Sequence, residues 1–193
     1  MSRTGGIAPW IASAIVALAV PGCAAGHYRQ VACEGVHRQS IFILEAQAIP
    51  SATFIPCVEP LPAGWSYGGS DVRSGIARFW LNSDLDGAHA VEYTLTRTCD
   101  VAEAAQVATA ISETGLRKYE EPADRARNIT VQHYVFPGGC VTSRFAFSRN
   151  GEPSIFDQAD GLLGFTPRSV YVNGVRQDEG LTLCGAGAPP CPG

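Results

Sequence analysis

The sequence predicts an α+β fold, a single domain in which an antiparallel sheet of β-hairpins carries two or three short helices and is stapled by disulfide bonds. Two pairs of alternating apolar segments flank turn sequences, which predicts the hairpins. Helical patterns are mixed among the strands without a regular β-α-β period, which favours helices on one side of the sheet. The composition agrees, because 46% of the 193 residues are hydrophobic and 17% are charged, as in one globular domain.

The chain begins with the features of an export signal. Arg3 and the terminal amine precede residues 7–20, an uncharged apolar run that is shorter than the roughly 20 residues needed to span a bilayer. We therefore expect a signal peptide over residues 1–22, a lipid anchor and tether over residues 23–39, and the α+β domain over residues 40–193.

The leader closes with LAVPGC, which resembles the lipobox of bacterial lipoproteins. Val20 takes the aliphatic place, Gly22 the small one and Cys23 the place of the lipidated residue. The resemblance implies a diacylglyceryl thioether on Cys23, with further acylation such as palmitate, and anchoring on the outer face of the cell membrane. The alternative is that signal peptidase cuts after Ala25, which would discard Cys23 and release a secreted protein.

Six cysteines remain in either case, and an even number favours an oxidising compartment in which disulfides persist. Structural zinc is the less favoured alternative, because the cysteines are widely spaced and no C-x-x-C pair is present. Sequence does not fix the connectivity, and our prediction joins neighbours along the chain. The predicted pairs are Cys33 with Cys57, Cys99 with Cys140, and Cys184 with Cys191.

The domain opens with a short apolar segment over residues 40–49 that ends before Pro50. We expect a helix there, with a buried strand as the alternative. Residues 54–58 have the pattern of a strand, and EPLPAGW that of a loop from which Trp65 returns to the core. Residues 67–70, YGGS, also have the composition of a loop.

The clearest pattern is a hairpin of residues 76–82 and 90–98 that turns at Asp86 and Gly87. Both strands alternate between apolar and polar residues, so one face of the hairpin is apolar. That face consists of Ala77, Phe79 and Leu81 on the first strand and Val91, Tyr93 and Leu95 on the second.

A helix and a second hairpin follow. Asp100 and Glu103 make a capping box for an amphipathic helix over residues 101–111. Residues 129–136 and 141–148 alternate around the turn PGGC and predict the second hairpin.

The remaining segments carry weaker patterns. Residues 117–127 are dense in charges of both signs, which is typical of a solvated loop. A helix is expected to begin near Ser154 and to stop at Gly164. Two short strands are expected over residues 169–172 and 181–184, before a tail rich in Gly and Pro.

The turn NSDLDG has the alternating oxygen ligands of the first half of a calcium-binding loop. Asn82, Asp84 and Asp86 would supply those oxygens. The second half does not follow the pattern, because Tyr93 stands where a bidentate Glu is needed. A polar hairpin tip explains the same residues without a metal.

A weak catalytic set consists of Asp84, Asp86 and His89, with His133 as a further candidate. His133 alternates with apolar residues, which favours a hydrogen-bonded core histidine. No HExxH, GxSxG, Walker or GxGxxG motif is present, and we expect no cofactor. Trp65, Tyr67 and Trp80 form either a binding platform or part of the core.

The runs FWLNSD, TLTRTCD and FPGGCVT are similar to segments of uncharacterised cell-envelope proteins from actinobacteria, and that resemblance implies location rather than activity. A net charge of -4 without a basic stripe disfavours nucleic acid as a partner. We expect a non-enzymatic binding or scaffold module of the cell envelope, with an envelope partner or ligand that the sequence does not identify. The alternative is a secreted hydrolase or metal-assisted enzyme around Asp84, Asp86 and His89.

Overall fold

Three helices and nine strands make up the part of the chain that the computed structural model describes, which is residues 40–58, 60–109, 111, 114–147 and 153–192. The helix predicted over residues 40–49 is confirmed, as is the strand predicted over residues 54–58. In chain order the elements are α1 (Ser40–Ala48), β1 (Phe54–Cys57), β2 (Trp65–Arg73), β3 (Ile76–Ser83), β4 (Gly87–Thr96), β5 (Ala105–Val107), β6 (Arg117–Glu120), β7 (Ile129–Phe136), β8 (Gly139–Ala146), α2 (Pro153–Asp160), β9 (Gly164–Pro167) and α3 (Arg168–Glu179).

Seven of these strands form one antiparallel sheet in the order β2-β3-β4-β8-β7-β6-β5. Its centre is built from the two predicted hairpins, β3–β4 and β7–β8, joined by pairing between β4 and β8. The other two strands, β1 and β9, form a separate antiparallel pair. The antiparallel sheet of hairpins is thus confirmed. The described residues contain more strand and less helix than a balanced α+β fold.

The main hydrophobic core lies on one face of the large sheet, called the inner face. The end of α1, the β1–β9 pair and α2 cover this face, and α3 packs beyond them against β1. The three helices and the β1–β9 pair therefore lie on one side of the large sheet. The alternation of apolar and polar residues along its strands predicts this arrangement. The apolar residues predicted for the first hairpin are all at most 1% exposed on this face: Ala77, Phe79, Leu81, Val91, Tyr93 and Leu95.

Disulfide bonds join two of the predicted cysteine pairs. Cys99 is bonded to Cys140, and Cys184 is bonded to Cys191. Cys57 is also a disulfide cysteine. Its predicted partner Cys33 lies outside the described residues, as does Cys23.

The helix predicted over residues 101–111 is wrong, and the segment instead contributes the short strand β5 to the edge of the sheet. The carboxylate of Asp100 accepts a hydrogen bond from the backbone N–H of Ala102 at 3.0 Å, which is the geometry of an Asx turn rather than a helix cap. The preceding residue, Cys99, is bonded to Cys140 on β8. Because the small apolar side chains of this segment bury little surface, pairing with β6 prevails over an isolated helix.

Two segments predicted as loops are strands. Residues 67–70 belong to β2, which pairs with β3 and carries an irregularity in register between Tyr67 and Gly69. Residues 117–120 form β6, so the predicted solvated loop begins only after Glu120. Both segments form strands despite their composition, because a neighbouring strand offers unpaired backbone groups. The edge of β3 pairs with β2, and the edge of β7 pairs with β6.

The strand predicted over residues 169–172 is also wrong, because Arg168–Glu179 is the helix α3. Its buried residues recur at helical spacing, and Gly180 ends it in the left-handed conformation at φ 66°. The strand predicted over residues 181–184 is wrong as well, because these residues are all described and none of them belongs to a strand. The helix predicted from Ser154 is confirmed, but it ends at Asp160, and Gly164 instead begins β9.

Candidate functional site

An apolar cleft of about 350 Å³ lies between α1, the loop that follows β1, and the inner face of β2 and β3. We call it the α1 cleft. Its volume is at the lower end of the range found for small-molecule pockets. None of the described residues that line it carries a charge: they are Phe42, Val58, Pro60, Leu61, Tyr67, Phe79 and Leu81.

Strand pairing explains how the cleft is formed. Tyr67 on β2 lies opposite Leu81 on β3, so both side chains are on the inner face, where Phe79 joins them. The loop after β1 contributes Pro60 and Leu61 to the lining. Tyr67 is 46% exposed, and the cleft therefore opens to solvent at this side chain.

The carboxyl group of Glu45 is buried on α1, the helix that borders the α1 cleft, although Glu45 is not among the described residues that line the cleft. Glu45 lies one turn after Phe42 on the same face of α1. Burial, and to a lesser extent the charge of Glu45, raises the pKa of the Tyr67 phenol on β2 and that of the Tyr171 phenol on α3. The residue is 0% exposed, and neither of its carboxylate oxygens has a hydrogen-bond partner among the described residues. Burial raises the pKa of Glu45 from 4.5 to about 8.

The nearby guanidinium of Arg168 does not compensate Glu45. Arg168 is 1% exposed and donates hydrogen bonds to the backbone carbonyls of Ala46, at 2.6 Å, and Cys184, at 2.7 Å. It thereby satisfies the C-terminal end of α1, whose carbonyls have no partner within the helix. A buried carboxyl without a partner is energetically costly, and such groups are concentrated at functional sites. The sequence carries one signal of it, a lone acidic residue within the apolar run SIFILEAQAI.

The predicted calcium ligands lie at the tip of the β3–β4 hairpin. The side-chain oxygen of Asn82 accepts a hydrogen bond from the backbone N–H of His89 at 3.0 Å. Asp86 contacts the Ser83 hydroxyl at 3.4 Å, and Asp84 is exposed. Two of these three side chains thus make contacts within the turn, and calcium binding at this tip stays a prediction.

The structure does not bring His133 to the predicted catalytic residues at the hairpin tip. His133 lies on β7, and strand pairing aligns it with Thr142 on β8 and then Thr94 on β4. His89 is five residues before Thr94, which is roughly 15 Å along the strand. Its ring is stacked on Trp80, with 4.7 Å between the ring centroids.

The three aromatics proposed as a platform lie on different faces of the sheet. Tyr67 lines the α1 cleft on the inner face, and the indole N–H of Trp65 donates to the Gln158 side chain at 2.8 Å. Trp80 lies on the opposite, outer face, where it stacks on His89. A side chain at Gly68 would collide with the Trp80 ring, so glycine permits this close packing. One continuous aromatic surface is therefore not formed by these residues.

Comparisons with protein-family models, with curated proteins and with solved structures yield no match. No helix within the described residues is both long and apolar enough to cross a bilayer. The two disulfides are consistent with an extracytoplasmic protein, because such bonds persist in oxidising compartments.

Proposed function

We propose that this chain is an exported lipoprotein, anchored through Cys23 at the outer face of the cell membrane, whose domain binds a small apolar ligand in the α1 cleft without chemical conversion. The observation that carries the proposal is an apolar cavity that opens to solvent and whose lining residue Phe42 lies one helical turn from the buried Glu45 carboxyl on α1. Among the residues that the structure describes, the cleft lining includes no Ser, Cys, His or Lys and so offers no activated nucleophile. That composition supports a binding module rather than an enzyme.

The chemistry of the site defines the class of ligand. An uncharged lining favours a hydrocarbon or aromatic body, because burial of apolar surface provides the driving force. Glu45 adds one polar anchor, and a carboxyl group binds best to a hydrogen-bond donor or a cation. We therefore propose a ligand with an apolar body and a single amine or hydroxyl end.

Binding of three probes with the same chain and different polar ends would test this proposal. At about pH 8 we expect octylamine to bind more tightly than octanoate by about tenfold or more, because its ammonium ion pairs with the ionised Glu45 carboxylate, whereas octanoate would place a second negative charge beside it. Octanol should bind with intermediate affinity. Isothermal titration calorimetry of the purified protein would give the three affinities.

Proton release gives this experiment a second readout. An ammonium ion stabilises the ionised form of Glu45, whose pKa is about 8 in the free protein, so octylamine binding should release a proton near neutral pH. Octylamine affinity should therefore rise between about pH 6 and about pH 8, whereas octanol affinity should not. Glu45→Gln should remove the difference.

Two leucine variants provide a matched control. Leu61→Trp places a larger side chain in the α1 cleft and should abolish binding of all three probes. Leu85→Trp makes the same change on the β3–β4 turn, where Leu85 is 60% exposed, and should leave binding unchanged. Failure of all three probes to bind, or equal binding by the Leu61→Trp variant, would contradict the proposed site.

Lipid anchoring can be tested separately from ligand binding. Mass spectrometry of the protein isolated from membranes of its own host should show a mature N-terminus at Cys23 with diacylglyceryl and acyl mass added. A mature chain that begins at Gly26 without a lipid would instead support the secreted alternative.

A further inference from the structure

A short segment crosses the outer face of the large sheet. Residues 97–104, called the strap, connect the end of β4 to β5 and pass the intervening strands β8, β7 and β6. The Cys99–Cys140 disulfide fastens the strap to β8. Below the strap the side chain of His133 is only 6% exposed.

His133 is held by contacts at both ring nitrogens. Its Nδ1 atom is 3.0 Å from the Thr142 hydroxyl, and the sulfur of Cys99 contacts the same hydroxyl at 3.3 Å. Its Nε2 atom is 2.8 Å from a carboxylate oxygen of Glu121. A proton on Nε2 donated to Glu121 leaves the lone pair of Nδ1 free to accept from the Thr142 hydroxyl, the same hydroxyl that the Cys99 sulfur contacts.

This arrangement matches that of a metal-binding histidine. Ligand atoms of Cys99, His133 and Cys140 all lie within 4.8 Å of one another, and in the described part of the chain no other group of three His, Cys, Asp or Glu residues does so. Histidine ligands commonly donate their second ring N–H to a carboxylate, which orients the ring. Glu121 occupies that position. We propose that Cys99, Cys140 and His133 form a site for zinc or a similar thiolate-binding metal ion when the disulfide is reduced.

The proposed reaction has two balanced steps. A dithiol reductant transfers two electrons and two protons to the Cys99–Cys140 bond, so that the reductant becomes a disulfide and two cysteine thiols form. A divalent ion then binds both sulfurs and Nδ1 of His133 and displaces two protons. Two thiolates on one zinc ion lie about 3.8 Å apart, given Zn–S bonds of about 2.3 Å in tetrahedral geometry. The Thr142 hydroxyl or a water molecule completes the fourth position.

The sheet can remain folded when this bond opens. The strap is mostly exposed, and β5 pairs with β6 through only three residues. His133 and Thr142 are held opposite each other by the β7–β8 hairpin, which does not depend on the disulfide. Reduction therefore leaves Cys140 and His133 in place on the sheet, and it lets Cys99 on the strap move away from Cys140 by the short distance that a shared metal ion needs.

Cobalt(II) is a suitable probe, because tetrahedral cobalt thiolates have characteristic charge-transfer and visible absorption bands. We expect the purified protein to bind one Co²⁺ per chain with these bands after anaerobic treatment with a dithiol and its removal, and to show none while oxidised. Cys184→Ser with Cys191→Ser removes the tail thiols and should leave the bands unchanged. Cys99→Ser should abolish them.

Variants of the histidine and its carboxylate partner test the geometry. His133→Asn should abolish the cobalt bands. Glu121→Gln should weaken Co²⁺ affinity about tenfold to a hundredfold, as is usual for a partner that orients a ligand. Glu121 is 43% exposed, so its variant should fold even if the histidine variant does not. Glu103→Gln, on the exposed part of the strap, is the matched control and should bind normally.

A purely structural disulfide packed on a histidine would behave differently. Any one of three results would overturn the site. The reduced protein would bind no cobalt, the bands would persist in Cys99→Ser, or the Glu121→Gln and Glu103→Gln variants would bind cobalt with equal affinity. Ligand binding in the α1 cleft involves none of these residues, so the two proposals fail or succeed independently.

Discussion

Lys118 on β6 donates two hydrogen bonds, of 2.9 and 2.8 Å, to the two carboxylate oxygens of Asp160 at the end of α2. The hydroxyl of Tyr134 donates a third to the same carboxylate at 3.0 Å. Lys118 is the only lysine in the chain, and its side chain is 9% exposed. This ion pair fastens α2 to the inner face of the sheet.

Replacement of Lys118 by Met should destabilise the protein by about 2 kcal/mol, because Asp160 then lacks its counter-ion in a partly buried position. This loss of stability is smaller than for a fully buried ion pair, because the Asp160 side chain is 29% exposed and keeps the hydrogen bond from Tyr134. Urea unfolding would measure the difference. The matched control is Arg73→Met, which removes the exposed ion pair to Asp71 and should cost less than about 0.5 kcal/mol. Equal losses would contradict the prediction.

Arg168→Met should cost about 3 kcal/mol or more, because it leaves the buried carbonyl of Ala46 and the partly buried carbonyl of Cys184 without their donor. Arg168→Lys should recover only part of the loss, since one ammonium group cannot reach all the partners of a planar guanidinium. Arg176→Met, on the exposed side of the same helix, is the control with little expected change. Chemical denaturation would compare the three, and a small loss for Arg168→Met would refute this role.

Stability should decrease as pH rises through the neutral range, because of Glu45. Between its ordinary pKa of 4.5 and its folded-state pKa of about 8, the folded protein keeps a proton that the unfolded chain releases, so rising pH favours unfolding. The decrease across this window is roughly 4 to 5 kcal/mol.

Glu45→Gln should remove this part of the pH dependence, because the amide has no proton to release. Unfolding free energies of the parent and the variant, measured from about pH 5 to about pH 8, would give the difference. Exposed Glu103→Gln should retain the parent's slope. Parallel curves for the parent and Glu45→Gln would show that Glu45 is ionised in the folded protein.

The two described disulfides should differ in their contribution to stability. In the chain-entropy model the Cys99–Cys140 bond, with a sequence separation of 41, stabilises by about 4 kcal/mol, and the Cys184–Cys191 bond, with a separation of 7, by about 2 kcal/mol. Paired Cys→Ser variants, unfolded without reductant, would test this order. A larger loss at the tail bond would contradict it.

The hairpins were predictable because their signals are local. Alternation along β3, β4, β7 and β8 assigns a face to each residue, and the turn residues sit between the strands. The apolar segment of α1 was predictable for the same reason. Neither assignment depends on what the rest of the chain does.

The candidate site was not predictable in this way. Glu45 is one acidic residue in an apolar helix, and its carboxyl group is buried only when α1 packs against the rest of the fold. The predicted ligands at the hairpin tip are close in sequence, whereas Cys99, His133 and Thr142 meet only through strand pairing and a disulfide.

The sequence by itself determined the two central hairpins and the first helix, because each depends on residues close in sequence, whereas it left the cysteine connectivity open. Tertiary structure decided that residues 105–107 are an edge strand, that residues 168–179 are a helix, and that Lys118 and Glu45 are buried. In these segments the intrinsic preferences are weak, so burial and the available backbone partners outweigh them. Those interactions exist only after the chain has folded.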